Sequence, residues 1–144
     1  MVPNDSDADE VVWCASQRAV VLDYLKREGL AHGEVGDWPA WHVWPYVAVW
    51  AVESLKSPGR VGWWAISGDL PTDYTPCGPA PHPREGVKDI AERWRDGAYR
   101  WGKGESAEGW VIGSPDEQKE LAPLLAARAN LLLSWVADPR LWEE

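Results

Sequence analysis

The chain predicts an α+β fold, and three observations predict it. Two strand-like runs flank a turn signal near the middle. Helical periodicity precedes and follows them. Glycine- and proline-rich connectors separate the periodic parts. The expected architecture is a small antiparallel sheet built on a central β-hairpin with three helices packed against it. The length of 144 residues is that of one ordinary domain. Residues 9–144 are taken as that domain, behind a flexible acidic N-terminus at residues 1–8.

The first helix is expected over about 9–28. Trp13, Val20, Val21, Tyr24 and Leu25 recur at helical spacing, and Lys26 and Arg27 sit in the last turn, where the helix dipole favours cations. Gly29 stops it. Residues 29–45 read as loop. Tyr46–Glu53 and Val61–Ser67 are rich in Val, Trp and Tyr and read as strands, with Lys56-Ser57-Pro58-Gly59 as the turn between them. Placing Glu53 opposite Arg60 matches opposite charges, and it sets Trp50 across from Trp63 and Val49 across from Trp64. Residues 68–83, with Pro71, Pro76, Pro79, Pro81 and Pro83, read as loop. A second helix runs from Pro83 to about Trp101, with Val87, Ile90, Ala91, Trp94, Ala98 and Trp101 as its apolar stripe. Its wet side carries Glu85–Lys88, Asp89–Arg93, Glu92–Arg95 and Asp96–Arg100 as charge pairs. Trp110-Val111-Ile112 suggests a third strand. Ser114-Pro115-Asp116-Glu117 opens a third helix that carries Leu121, Leu124, Leu125, Ala129, Leu132, Leu133 and Val136, and Pro123 is expected to kink it or delay its regular part. The topology expected is helices two and three on the sheet and helix one closing an end.

Composition narrows the function classes. The net charge is −9. Nucleic acid binds through Lys and Arg that neutralise phosphates, so it is a poor partner for this surface, and anionic membranes are disfavoured for the same reason. A basic protein partner fits better. The acidic N-terminus lacks the pattern of a signal peptide, and a cytoplasmic setting is expected. Cys14 and Cys77 are then two free thiols, with Cys14 in the core. Neither a metal nor a cofactor is expected. Oligomeric state has no signature in the chain.

Twelve tryptophans stand against no phenylalanine. Each buries roughly 150–250 Å² and has one N–H to satisfy. That is more aromatic surface than one small core hides, so some of it belongs at a rim or interface, where aromatic anchors concentrate binding energy. The densest run is Trp38-Pro39-Ala40-Trp41-His42-Val43-Trp44-Pro45-Tyr46. It offers an aromatic platform, although packing of the loop onto the core is the commoner use of such side chains. His42 suits a general base, but a half-buried histidine donating to a carbonyl is the favoured reading. In Gly68-Asp69-Leu70-Pro71-Thr72-Asp73-Tyr74 two carboxylates flank a bend, and turn chemistry at Asp69 is favoured over acid–base work. His82 and Arg84 stand at a helix start, where anions bind, and solvated charge is the favoured reading.

These pieces carry a resemblance. Trp13-Cys14 with Gln17-Arg18, Trp38-Pro39-Ala40-Trp41-His42 with Pro45-Tyr46, Trp50-Ala51-Val52-Glu53-Ser54, Gly68 to Tyr74, and His82-Pro83-Arg84-Glu85 resemble a small bacterial family described as a domain of unknown function. The resemblance covers about residues 11–100. It implies no activity, cofactor or catalytic residue.

The leading expectation is a small acidic protein that binds or neutralises a protein partner, as immunity proteins and inhibitors do, through a Trp-rich surface. Its binding residues are taken as Trp38, Trp41, His42, Asp69, Asp73, Tyr74, His82 and Arg84. The alternative is a hydrolase or transferase with Asp69, Asp73 and His42 in a shared cleft. The first strand begins where the second ends, so the loops 36–46 and 68–83 are expected to meet in one groove.

Overall fold

A computed structural model describes residues 5–79, 81–102 and 115–142. The elements in order are α1 (Asp5–Arg27), β1 (Trp41–Val43), β2 (Val47–Glu53), β3 (Val61–Gly68), β4 (Asp73–Pro76), α2 (Pro83–Gly102) and α3 (Pro115–Val136), closed by a 3-10 turn at Pro139–Trp142. The fold class is α+β, as expected. Contacts group the chain into two compact units, Met1–Gly86 and Val87–Glu144.

In the first unit α1 begins at Asp5, ahead of the expected Asp9. It ends at a Schellman cap. Gly29 takes φ of +70°, its N–H donates to the Lys26 carbonyl at 3.1 Å, and the Leu30 N–H reaches the Leu25 carbonyl at 3.2 Å. The face that α1 buries carries Cys14, Val21 and Leu25. Val20, expected on that stripe, is exposed. Val21 and Leu25 pack with Ala48, Trp50, Val52 and Ala65 of the sheet. Helix one therefore lies on a sheet face instead of closing an end.

The sheet is antiparallel and four-stranded, in the order β1-β2-β3-β4. Its middle is the expected hairpin, but the register differs. Trp50 pairs with Ala65 and Val52 with Trp63, and Glu53 faces Val61 across a bulge. Charge matching failed as a guide because the Glu53 carboxylate serves the backbone. Its two oxygens accept from the Glu34 N–H at 3.0 Å and the Gly59 N–H at 2.8 Å. The shift is two residues, an even number, so the predicted facing survives. Trp50 and Trp63 still share the α1 face, while Val49, Trp64 and Ile66 share the other.

Both flanking strands lie in stretches expected to be loop. β1 pairs with the start of β2, and residues 33–36 continue along the same edge. The Gly33 N–H donates to the Glu53 carbonyl at 2.9 Å and the Gly36 N–H to the Ala51 carbonyl at 3.2 Å. Arg18 of α1 fixes this segment by donating to the carbonyls of Gly36 at 3.0 Å and Val35 at 2.9 Å. The expected strand at Val111 lies outside the described residues.

In the second unit the predicted α2 stripe is buried from Val87 to Trp101, and Asp96–Arg100 forms at 3.2 Å. α3 is assigned as one helix through Pro123. It buries Ala122, Leu125, Ala129 and Leu132 and leaves Leu121 and Leu124 exposed. Trp142 folds back, and its indole N–H donates to the Trp135 carbonyl at 2.8 Å.

Two predictions follow from local geometry. Gly68 has φ of +136°, and a Cβ there would meet the Tyr46 carbonyl oxygen, with its carbon at 2.9 Å. Gly68→Ala should lose about 2–4 kcal/mol of stability in urea unfolding, and a loss under ~0.5 kcal/mol would contradict this contact. The two N–H donors hold the Glu53 carboxyl below its usual value of 4.5. Its contribution is therefore complete above that value and is lost as pH falls through the lowered one. Glu53→Gln should lower the urea midpoint at pH 7, and the gap to the parent should close in strong acid. A gap independent of pH would assign the effect to shape.

Candidate functional site

The β1–β2 corner is the candidate site, because large aromatic side chains reach solvent there. Trp38 is 49% exposed and Tyr46 54% exposed, while Trp41, His42, Val43 and Trp44 are half-buried. Trp38 stands just before β1 and Tyr46 just after it. The turn between β1 and β2 contains the cis Trp44–Pro45 peptide and closes with the Tyr46 N–H donating to the Val43 carbonyl at 2.7 Å. Of the other described tryptophans, Trp50, Trp64, Trp94, Trp101 and Trp142 are buried. Trp38 is the one classed as exposed among the described residues.

His42 projects to the face on which α1 lies. Its Nε2 is 2.7 Å from Glu10 Oε1, so the partner is a carboxylate and not the carbonyl expected. The Trp38 ring meets the imidazole edge to face, with centroids 5.3 Å apart and planes at 87°. Glu10, His42 and Trp38 thus form one stack from helix to strand to loop. Asp37, the residue before Trp38 in the chain, has a fully exposed carboxylate 3.8 Å from the Arg18 guanidinium.

Asp69 meets this corner through its backbone, whose N–H donates to the Tyr46 carbonyl at 2.8 Å. To that extent the two predicted loops touch. Beyond Asp69 they diverge. Trp41 and His42 lie on edge strand β1, and Asp73 and Tyr74 lie on the opposite edge strand β4. Three strand spacings separate the edges, about 14 Å. Hydrogen-bond reach between an acid–base pair is about 3 Å, so the shared cleft of Asp69, Asp73 and His42 does not form. Tertiary pairing put β2 and β3 between the two stretches.

Asp73 is buried at 4% exposure. Its Oδ1 accepts from the Tyr74 N–H at 2.8 Å and, at the long distance of 3.5 Å, from the Tyr24 hydroxyl. The Tyr24 and Tyr74 rings meet edge to face at 6.0 Å. Burial first, and then the charges of Asp73 and Glu28, push the Tyr24 hydroxyl pKa far above its ordinary value. His82 caps α2, its Nδ1 accepting from the Arg84 N–H at 3.1 Å. The helix start is thereby engaged by its own side chain. Cys14 and Cys77 are free thiols. Burial, and then Glu10, raises the Cys14 pKa, the opposite of what a reactive thiol needs.

Among the described residues no group of three His, Cys, Asp or Glu is arranged to hold a metal ion. No described helix is long and apolar enough to cross a membrane. Glu10, Arg18 and Tyr24 shape both edges, and sequence reasoning missed all three. They sit on α1, distant along the chain from the residues they meet, and nothing local marks their partners.

The chain belongs to the family described as Domain of unknown function (DUF4826), whose model matches residues 7–142. The match extends past the motifs read in residues 11–100 to the end of the 3-10 turn. No curated protein and no solved structure matches the chain.

Tyr24 yields a prediction in alkali. A neutral hydroxyl is favoured in the folded state, so its contribution is complete below about pH 10 and is lost as pH rises further. Tyr24→Phe should flatten the alkaline fall in urea midpoint between about pH 9 and 11.5. Parallel profiles for parent and variant would refute it.

Proposed function

We propose that this member of the DUF4826 family is a binding module that engages a protein partner, in the manner of an immunity protein or inhibitor, through the β1 corner. The observation that carries the reading is the exposure of Trp38 and Tyr46 at the two ends of one short edge strand. Tryptophan and tyrosine lose little conformational entropy for the area they cover, and they dominate the energetics of protein interfaces. Trp38 is braced by His42, and His42 by Glu10, so the anchor is held in place before any partner arrives. A cytoplasmic setting is part of the proposal, and the free thiols of Cys14 and Cys77 suit a reducing compartment.

The test is affinity capture from the native host with the tagged chain, quantified by mass spectrometry. Trp38→Ala and Tyr46→Ala are compared with Tyr99→Ala, which alters a still more exposed aromatic on α2. One protein should be enriched by the parent and by Tyr99→Ala, and depleted about tenfold or more by Trp38→Ala. Equal capture by all variants, or no enriched protein, would overturn the reading. Circular dichroism of each variant confirms that the fold is retained.

A further inference from the structure

We propose that the Trp38 surface receives a cationic side chain, an arginine presented on a basic segment of the protein partner. The assignment rests on the binding reading above and adds the chemistry of what is bound.

Charge placement is the first argument. Between Arg27 and Lys56 the chain has no lysine or arginine, and between Arg60 and Arg84 again none. The four strands therefore carry no lysine or arginine at all, and the only two between β1 and β4 sit in the hairpin loop between β2 and β3. The same stretches supply Glu28, Glu34, Asp37, Glu53, Asp69 and Asp73. Of these, Glu34 and Asp37 lie in the segment that leads into β1, beside Trp38 in the chain.

Arg18 is the cation that α1 brings to this corner. Its guanidinium is engaged by two backbone carbonyls at 2.9 and 3.0 Å, with Asp37 farther off at 3.8 Å. Asp37, the residue before Trp38 in the chain, keeps its carboxylate in solvent. An exposed indole beside an exposed carboxylate is the pairing a guanidinium recognises. The ring quadrupole attracts the cation over its face, tryptophan most strongly, and the carboxylate accepts from the fork of N–H donors. Arginine suits this better than lysine, because its planar, weakly hydrated head stacks on an aromatic face and also offers paired donors. The edge-to-face contact with His42 fixes the indole plane, so a stacking partner meets a surface already oriented.

The test uses a fluorescein-labelled hexa-arginine peptide, read by anisotropy in about 0.15 M salt. The parent should bind it saturably, more tightly than hexalysine, and hexaglutamate should not bind. Trp38→Ala should weaken binding about fivefold or more. Asp37→Asn should weaken it and reduce its salt dependence, and Tyr99→Ala should leave it unchanged. Parent-like affinity in both Trp38→Ala and Asp37→Asn would overturn the assignment, as would no binding by the parent. The two readings fail separately. A captured partner that needs Trp38 but is not displaced by excess hexa-arginine would overturn the arginine assignment and leave the binding module standing. Capture indifferent to Trp38 would overturn both.

Discussion

The indole of Trp50 is where α1, β2 and β3 meet. It is fully buried, lies in the cluster with Val21, Leu25 and Val52, and donates its N–H to the Ser67 hydroxyl at 3.2 Å. That one side chain joins the helix to both central strands and satisfies its polar atom on the neighbouring strand. With Trp50 inside, β2 is buried on both faces from Val47 to Trp50 and again at Val52. Its second edge is then closed by residues 33–36 and by β1. The aromatic corner lies where this closure ends at a short strand, with Trp38 and Tyr46 flanking it and exposed.

Close approaches set the rest of the first unit. Gly68 lets β3 pass the Tyr46 carbonyl, which brings the start of the β3–β4 connection to the β1–β2 turn. Gly86, in the first turn of α2, leaves no room for a Cβ, which would meet the Trp64 side chain at 2.6 Å. In both places the missing side chain is replaced by a neighbour's backbone or ring, so packing and not loop flexibility explains the glycine.

Acidity and aromaticity act together at the β1 edge. Glu10 orients His42, His42 braces Trp38, and Arg18 holds the segment that carries Asp37. The arrangement is a brace. His42 has a carboxylate on one nitrogen and an indole against its ring, and Asp73, its candidate companion in catalysis, stands on the far edge of the sheet.

Much of this was legible in the chain. The α2 stripe from Val87 to Trp101, the Gly29 stop and the existence of the 46–67 hairpin come from local spacing, and local spacing is set by helix and strand period. Facing along β2 and β3 was legible for the same reason. Their register was not, because the Glu53 carboxylate bonded the Glu34 and Gly59 backbone instead of Arg60. β1 and β4 were hidden because strands of three and four residues have no period to show, and their pairing comes from β2 and β3. The sequence by itself determined which residues are apolar, acidic and aromatic, and which of them share an element's face. Only the tertiary structure decided that Trp38, His42 and Glu10 stand together while Asp73 and Tyr74 lie about 14 Å away, because strand order is a choice among partners distant along the chain.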